Sequence, residues 1–471
     1  MSIDTLLKSG AIDRNSCPTS ERLVDCIIAA GNVDFDEGTM FTAKTFLADT
    51  LAVGVAGTVN PASEKLFDAV SHWNESGDCR ILGRPGVRMS AQSAAVINGF
   101  QIHCLEWDAL HEPSVVIALC TTTAALISEA ECTASSMDDI VKALIIGVET
   151  AVFFGAGATT EPRFFRPSAA GLMGASMALG YLRGYSRSQM LDLLGLAYSQ
   201  VAGTMQAHWE GSEALPLQIG LAARSALTAV DLVAAGISGP HDVIDGKFGY
   251  FRLIEQADSL DAQFEQWAQP WKVKEVAHKP FPAGRATQAT LTAIMDVCDS
   301  EQLDLDMIET ITVHVPSLIM LLVGRPYDRD MSPAYARLCL QFIAPMMIRE
   351  GRIDPRRFTA GIMNSEQVAA DARKVTIILD GNPDPNALSP QRIEILFKDG
   401  RRIERVIDAP FGSPDFPMSR TDQLAKAAFC FEVAGFADKS GALFDKIFRS
   451  SHDFPMKDVL DIVSGSREPR V

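Results

Sequence analysis

The stretch HCLEWDALHEPS, residues 103–114, decides how the rest of the chain can be arranged. It carries two histidines, three carboxylates and a tryptophan between the small and apolar runs SAAVINGFQI (93–102) and VVIALCTTTAAL (115–126). Because buried charge needs partners, a helix face cannot hide so many ionisable groups at low cost. The stretch is therefore either a solvated turn between two core helices, as runs of charge usually are, or the floor of a polar pocket.

Helical periodicity dominates the chain on both sides of this stretch, up to residue 271. Apolar residues recur there at helical spacing in about nine segments. The pattern changes after WKVKEVAHKPFPAGR (271–285), because IETITVHV (308–315) and three later segments alternate as strands do. Helical patterns return after Met418. The sequence predicts a mainly α protein with a large all-helical domain (1–271), a smaller inserted α+β lid domain (272–412) and C-terminal helices (413–471) that rejoin the first domain.

The bulk composition excludes several classes of function. A chain of 471 residues is too long for one compact core. Its net charge of −17 argues against nucleic acid or an anionic membrane as a partner. No apolar run approaches about 18 residues without a charge or a break, so we expect no membrane span. Nine single cysteines without a CxxC motif, and a first thirty residues without a signal peptide, predict a cytoplasmic protein.

The first candidate constellation is Glu106, Asp108 and His111. A carboxylate and an imidazole held close together can act as base and acid on a carbon acid. The alternative is a helix end with solvated acids and a hydrogen-bonded histidine. We expect His111 rather than His103 to be the imidazole of the pair, because His103 lies near the end of a helix rich in small residues, where core histidines are common.

Three further constellations suggest anion sites. Lys279 and Arg285 flank two prolines and the start of a helix, where free N–H groups bind carboxylates or phosphates; the alternative is a basic linker between domains. Arg163 and Arg166 precede another helix start, and could equally be surface arginines. The last group, QAHWEGS (206–212), contains Gln206 and His208 and could be an ordinary loop.

Several familiar motifs are absent from the sequence. It has no GxGxxG that opens a helix after a strand, no Walker A loop, no HExxH and no GxSxG nucleophile elbow. The spacing of histidines and cysteines also gives no credible metal site. The residues alone therefore predict a protein without cofactor or metal that has acid and base groups and several anion sites.

At these same stretches the chain resembles the MmgE/PrpD family, which includes 2-methylcitrate dehydratase, cis-aconitate decarboxylase and iminodisuccinate epimerase. The likeness runs in order through most of the chain. The matching segments are FLADTLAVGVAG (46–57), INGFQIHCLEWDALHEP (97–113), RPSAAGLMGASMALGYLRG (166–184), LGLAYSQVAGTMQ (194–206), LPLQIGLAAR (215–224), GKFGYF (246–251), KPFPAGRATQA (279–289) and PFGSPDFPMS (410–419).

The resemblance implies a homodimer with an active site in the cleft between a helical domain and a lid, no cofactor, and a small di- or tricarboxylate as substrate. It matches the family's acidic pair to Glu106 and Asp108, and the family's lysine to Lys279. This chain differs from the family at three positions. Many members have a histidine where this chain has Ile117, a second histidine where it has Arg166, and a lysine near the position of Ala214.

The prediction is therefore a divergent lyase or isomerase that abstracts a proton next to a carboxylate, in a dehydration, a decarboxylation or an epimerisation. The alternative is an inactive, carboxylate-binding or scaffold homologue. The expected site residues are given by role: Asp108, His111, Glu106 and Lys279 are catalytic, and Arg166, His208, Arg285 and Gln206 bind substrate.

Overall fold

The structure is a computed structural model, which describes residues 18–73, 76–301, 303–384, 387–449 and 454–465. Within these ranges, the buried apolar side chains form a large core and a smaller one. The large core is built from residues 23–276 and 427–463, and the smaller from residues 281–403. A third, minor cluster lies around residues 70–97. The chain thus leaves the helical domain once, forms the lid, and returns.

The helical domain is held together by helices that are buried on nearly every side. One close approach is between Gly147 and Gly174, where a Cβ atom added to Gly174 would lie 2.3 Å from the carbonyl oxygen of Gly147. Small residues therefore allow the backbones of the two helices that carry these glycines to touch. The elements are α1 (Thr19–Gly31), α2 (Glu37–Ala56), α3 (Pro61–Ser71), β1 (Cys79–Arg80), β2 (Arg88–Met89), α4 (Ala91–His103), α5 (Ala118–Thr133), α6 (Met137–Ala156), α7 (Arg166–Leu182), α8 (Arg187–Tyr198), α9 (Gln206–Glu210), α10 (Ala214–Ala234), α11 (Tyr250–Leu253) and α12 (Asp261–Glu265).

One of these helices, α10, is also long and apolar enough to suit a membrane span. Half of its most apolar 18-residue window is buried in the structure, and the helix packs against α4 and α7. A helix in the core of a protein has the same length and composition, so α10 is explained by its packing.

The lid is a four-stranded sheet with helices. Its strand order is β4-β3-β5-β6, with β3 and β4 parallel and the other pairs antiparallel. Alternate residues of β3 and β5 are buried, as expected for a sheet with one face on a core. The elements are α13 (Gln288–Ser300), β3 (Ile308–Val315), α14 (Ser317–Val323), α15 (Pro333–Ala336), α16 (Leu340–Glu350), α17 (Ala360–Met363), α18 (Glu366–Ala372), β4 (Val375–Leu379), β5 (Gln391–Phe397) and β6 (Arg402–Ile407).

The last three helices return to the helical domain. The anchor is Lys426, whose buried Nζ lies 2.8 Å from an oxygen of Asp49 and donates to the carbonyl oxygen of Trp107 at 3.0 Å. The C-terminal helices therefore contact the segment 103–114 through Lys426. The helices are α19 (Arg420–Ala434), α20 (Ser440–Arg449) and α21 (Lys457–Val463).

The mainly α fold with a small sheet in a second domain is confirmed. Helical periodicity in the sequence also predicts a helix from Ser186 to about Ala207 and another from Pro333 to Glu350, and both of these predictions are wrong. The helix expected from Ser186 to Ala207 ends at Tyr198. The helix expected from Pro333 to Glu350 is broken between α15 and α16, where Cys339 has extended backbone angles and pairs with Gly324 in an isolated β-bridge. The second break places Arg337, which lines the cavity described next.

Candidate active site

The segment after α4 makes a tight turn that presents charged side chains. The backbone N–H of Glu106 donates to the carbonyl oxygen of His103 at 2.9 Å, and Glu106 itself has a positive φ of 54°. A non-glycine residue in this region is uncommon and is held there by its surroundings. The turn therefore fixes Glu106 in a backbone conformation with positive φ, which could not be predicted from the sequence.

Two contacts attach the start of the lid to this turn. Leu110 and Ala277 exchange backbone hydrogen bonds of 3.0 and 2.8 Å. The indole Nε1 of Trp107 donates to the carbonyl oxygen of Pro280 at 3.0 Å. Lys279, between these contacts, is thereby placed over the turn.

Four side chains meet at this point, and we call them the cleft cluster: the buried His103, Asp108 and Lys279, and the partly buried Glu106. The Nζ of Lys279 lies 3.1 Å from Glu106 Oε2 and 3.7 Å from Asp108 Oδ1. The Nδ1 of His103 lies 2.9 Å from Asp108 Oδ2. The prediction that the helical domain and the lid bring Glu106, Asp108 and Lys279 together agrees with these distances.

The ionisation of the cleft cluster follows from these pairings. Burial alone would raise the pKa of each carboxyl group, but the charges of Lys279 and His103 outweigh burial and lower the pKa values of Glu106 and Asp108. Burial would lower the pKa of His103, but Asp108 and Glu106 outweigh it and raise that pKa. The cluster thus favours two carboxylates beside an imidazolium.

A narrow cavity of about 20 Å³, room for about one water molecule, adjoins the cluster. The Nε2 of His103 has no hydrogen-bond partner in the structure, and Glu106 Oε1 lies 3.5 Å away from it. Such a volume is too small for a polycarboxylate. The cavity is lined by Asn60, His103, Cys104, Glu106, Glu213, Leu215, Pro216, Pro333, Ala334 and Arg337.

Two lid arginines near the cavity were missed by the sequence analysis. Arg337 lines the cavity, and Arg325 lies with one guanidinium nitrogen 3.5 Å from the carbonyl oxygen of His208. The charge of Glu106 acts on the pKa of both. A signal for Arg337 was present, since it is a lone cation in the otherwise uncharged run AYARLCLQFIAPMMI (334–348).

The structure does not bring His111 into contact with Asp108, because the imidazole of His111 is engaged elsewhere. Its Nδ1 lies 2.8 Å from the hydroxyl of Ser114, and its Nε2 lies 3.0 Å from an oxygen of Glu275. Burial, which outweighs the attraction of Glu275, lowers the pKa of His111 and favours the neutral ring. His103, which the sequence analysis set aside, is the histidine on Asp108.

Arg166 is also occupied by protein groups. Its guanidinium binds both oxygens of the buried Glu255, at 2.9 and 3.4 Å, and donates to the carbonyl oxygen of Ser114 at 3.2 Å. The residues His111, Ser114, Glu275, Arg166 and Glu255 thus form one chain of contacts, which we call the linker cluster. An arginine neutralised in this way has no charge to offer a substrate, and its expected binding role loses its geometric basis.

The other expected binding residues lie in different surroundings. Arg285 Nε donates to Glu112 at 2.6 Å, while its two terminal nitrogens are buried without a hydrogen-bond partner in the structure. Gln206 is exposed and bonds to Glu210 one turn later. Burial, with the charge of Arg325, lowers the pKa of His208 to about 4, so this ring is neutral near the cavity. Arg163, in the loop just before Arg166, is exposed.

No group of three or more His, Cys, Asp or Glu side chains is arranged to hold a metal ion among the residues that the structure describes. The cleft cluster has one histidine and two carboxylates, but Lys279 lies between the carboxylates and supplies the positive charge. The absence of a metal and of a cofactor stays a prediction.

Comparison with known proteins places these features in a family. The chain is 26% identical to human cis-aconitate decarboxylase over 397 residues, which is 81% of each protein. It is 27% identical to the mouse cis-aconitate decarboxylase over 410 residues, 82% of this chain and 81% of the relative. It is 24% identical to a cis-aconitate decarboxylase of Aspergillus terreus over 406 residues, 80% of this chain and 82% of the relative.

Two family models divide the chain much as its cores do. The MmgE/PrpD N-terminal domain matches residues 21–263, and the MmgE/PrpD C-terminal domain matches residues 281–441. The second match includes α19, which packs into the helical domain. With both models matched over most of its length, the chain belongs to the MmgE/PrpD family.

Proposed function

We propose that this protein is a lyase that acts on a small di- or tricarboxylate, by proton transfer at a carbon next to a carboxylate. The observation that carries the proposal is the contact of Lys279 from the lid with Glu106 and Asp108 from the helical domain, beside a buried cavity. The relatives named cis-aconitate decarboxylase support the same class of substrate.

Glu106 is the proposed base for a substrate that must lose a proton. It lines the cavity, its lowered pKa keeps it ionised, and its backbone is held in one conformation by the turn. A base must reach the substrate proton at hydrogen-bond distance, and Glu106 is the carboxylate of the pair that faces the cavity.

His103 is the proposed proton donor, in place of His111. Its Nδ1 is bound to Asp108, so its Nε2 is aimed at the cavity in a fixed orientation. The raised pKa keeps a proton on the ring near neutral pH. Asp108 does not line the cavity and acts as a positioning residue, while the ammonium of Lys279 stabilises negative charge that develops on substrate oxygens.

Decarboxylation is the reaction we propose to test first. Cleavage of the carbon–carbon bond to a carboxylate releases carbon dioxide and leaves the electron pair on the substrate carbon. Lys279 would stabilise the resulting enolate, and His103 would deliver a proton to the carbon. The differences at Ile117, Arg166 and Ala214 motivate a substrate other than 2-methylcitrate.

The experiment is a panel of citrate, 2-methylcitrate, cis-aconitate, tartrate and iminodisuccinate, incubated with the protein in deuterated water. Carbon dioxide release and deuterium uptake at carbon, followed by NMR, are expected for at least one compound. The control is Glu106→Gln, which keeps the size of the side chain and removes the base.

A protein that binds members of the panel but neither converts them nor exchanges deuterium would contradict the enzyme proposal. It would leave a carboxylate-binding homologue. Stoichiometric zinc or iron in protein purified without added metal would overturn the metal-free scheme. The homodimer and the cytoplasmic location expected from the sequence stay predictions.

A further inference from the structure

Arg337 is a buried cation that the protein itself does not neutralise. It lies at the break between α15 and α16, its side chain is fully buried, and two of its guanidinium nitrogens, Nε and Nη1, have no hydrogen-bond partner in the structure. Buried polar groups are normally hydrogen-bonded, and a buried charge without a partner is costly. A residue in this state is explained if its partner is a ligand.

The surroundings of Arg337 fix its position without neutralising its charge. The guanidinium carbon lies 4.7 Å from the centre of the Phe358 ring, and the backbone carbonyl accepts a hydrogen bond from Gly284 at 3.1 Å. Arg166 offers a contrast within the same chain, because its buried guanidinium is bound to both oxygens of Glu255. Arg337 thus has the orientation of a binding residue, without the acidic partner that Arg166 has.

A second lid arginine adds positive charge near the cavity. Arg325 packs against the ring of Tyr335, at 4.7 Å from its centre. Its Nη1 is buried without a partner, and its Nη2 reaches the carbonyl oxygens of His208 and Leu322 only at 3.5 Å. These contacts are at the limit of a hydrogen bond, so Arg325 also retains most of its capacity to donate.

The charges around the cavity are not balanced. In the buried part of the site, four cations, Lys279, Arg325, Arg337 and a protonated His103, face two carboxylates, Glu106 and Asp108. A third carboxylate at the cavity, Glu213, is exposed and lies 4.0 Å from the ammonium of Lys65. Two positive charges remain, which is the charge that a dianion would neutralise. A monocarboxylate would leave one of these cations buried and unpaired.

We propose that Arg337 binds a second carboxylate of the substrate, with Arg325 beside it, while Lys279 serves the carboxylate next to the reacting carbon. The inference rests on the proposed function and deepens it, because it assigns a residue to the second carboxylate of the di- or tricarboxylate. The planar guanidinium of Arg337 suits a two-pronged contact with a carboxylate. All three cations belong to the lid, so such a ligand would hold the lid against the helical domain.

The test uses the full-length protein and tricarballylate, a saturated tricarboxylate, as the probe in isothermal titration. Arg337→Gln removes the charge and leaves a polar side chain of similar reach. We expect it to weaken tricarballylate binding about 10- to 100-fold, the loss of a charged hydrogen-bond contact. Its melting temperature without ligand should not fall, because the variant removes an unpaired buried charge.

The matched control is Arg329→Gln, which removes an exposed lid arginine paired with Glu366 and should leave the affinity unchanged. Arg337→Lys keeps the charge without the two-pronged geometry, and an intermediate affinity is expected. If Arg337→Gln does not fold, the tricarballylate affinity of Arg337→Lys tests the inference in its place. Unchanged tricarballylate affinity in the folded Arg337 variants, or no binding by the unmodified protein, would overturn the inference.

These outcomes separate the inference from the function it rests on. If tricarballylate binds through Arg337 but nothing in the panel is turned over, the enzyme proposal fails and the binding site stands. If turnover is found and Arg337→Gln leaves both the Michaelis constant and tricarballylate affinity unchanged, the enzyme stands and the role of Arg337 fails.

A second, independent observation concerns the thiols of Cys79 and Cys132. Their sulfur atoms are 3.8 Å apart, Cys79 is buried on β1, and Cys132 is exposed on the last turn of α5. The adjacent residues Arg80 and Glu131 form an ion pair, and the backbone N–H of Arg80 also donates to Glu131 at 2.6 Å. The two segments are therefore clamped together beside the sulfurs.

We infer that this pair is a site of reversible oxidation to a disulfide by a peroxide. One thiol is oxidised by hydrogen peroxide to a sulfenic acid with release of water, and the second thiol displaces a further water as the sulfur–sulfur bond forms. Cys132 is the first to react, since it is exposed and a hydrogen bond from Cys79 lowers its pKa.

The test is mass spectrometry of the intact protein and of its unreduced tryptic peptides after mild hydrogen peroxide treatment. We expect the loss of two hydrogens, a peptide that joins Cys79 to Cys132, and reversal by dithiothreitol. Cys132→Ser should abolish all three, while Cys298→Ser, at a half-buried cysteine, should not. Oxygen adducts on Cys132 with Cys79 still free would overturn the inference.

Discussion

The cleft cluster and the linker cluster both include residues of the segment 103–114. The difference between them distinguishes a candidate active site from a set of structural contacts. Each contains a histidine, carboxylates and a buried cation. In the linker cluster both ring nitrogens of His111 and the guanidinium of Arg166 are bound by protein groups. In the cleft cluster the Nε2 of His103 is unpartnered and faces a cavity, as Arg337 does. The two clusters contain similar residue types. What distinguishes the candidate active site is that some of its buried nitrogen atoms have no hydrogen-bond partner in the protein.

The largest expected effect is on turnover, when one carboxylate in each cluster is replaced by an amide. We predict that Glu106→Gln lowers turnover about 1000-fold on a substrate that loses a proton from carbon, within the range for loss of a positioned base. Glu275→Gln, the matched change in the linker cluster, should lower it by less than about threefold. Steady-state kinetics on the substrate identified from the panel measures both. Equal losses in the two variants would remove the distinction between the clusters.

The next effect is on stability and belongs to the linker cluster. Arg166→Met leaves Glu255 buried without its partner, and we predict a loss of about 3 kcal/mol or more in the free energy of unfolding. Chemical denaturation measures it. Arg187→Met, at a half-exposed ion pair, should cost less than about 1 kcal/mol. Restoration of stability by Arg166→Met combined with Glu255→Leu would support the ion pair as the cause.

The two histidines give a third test. His103→Asn should lower turnover about 100-fold, because it removes the proposed proton donor. His111→Asn should retain turnover within about threefold and lower the melting temperature, because it breaks contacts to Ser114 and Glu275. Should His111→Asn prove the more damaging to catalysis, the original pairing with Asp108 would be right in function despite the geometry.

The smallest effect is on the pH dependence of stability, and it has opposite sign for the two rings. His103 has a raised pKa in the folded state, so its stabilisation is complete below the ordinary value of 6.5 and is lost as pH rises through the folded value. His111 has a lowered pKa, so its stabilisation is complete above 6.5 and is lost as pH falls. Unfolding measured from pH 5 to pH 9 should show the two asparagine variants diverging from the parent in opposite directions.

Much of the fold could be predicted because periodicity is a local property. The strand Ile308–Val315 was predicted to the residue, because its sequence alternates in the way that its burial does. The helix break at Arg337 was not, because it depends on the bridge between Gly324 and Cys339, which are distant in sequence. The prediction of a continuous helix hid the arginine that faces the cavity.

The site was predictable in part for the same reason. Glu106, Asp108 and Lys279 were named together through the resemblance to the family, and they meet in the structure. The contact of Asp108 with His103 rather than His111 was not predicted, because spacing does not say which way a side chain points after a turn. The positive φ of Glu106 governs that turn, and a glutamate gives no sequence signal for it.

The contact of Lys426 with the carbonyl oxygen of Trp107 bears on when the protein becomes functional during its synthesis. Trp107 lies between Glu106 and Asp108, and its backbone is held by a residue 319 positions later. The ribosome must therefore deliver the lid and then α19 before the turn has all its contacts. A nascent chain released before Lys426 would carry every residue of the cleft cluster but lack one of the bonds that hold them in place.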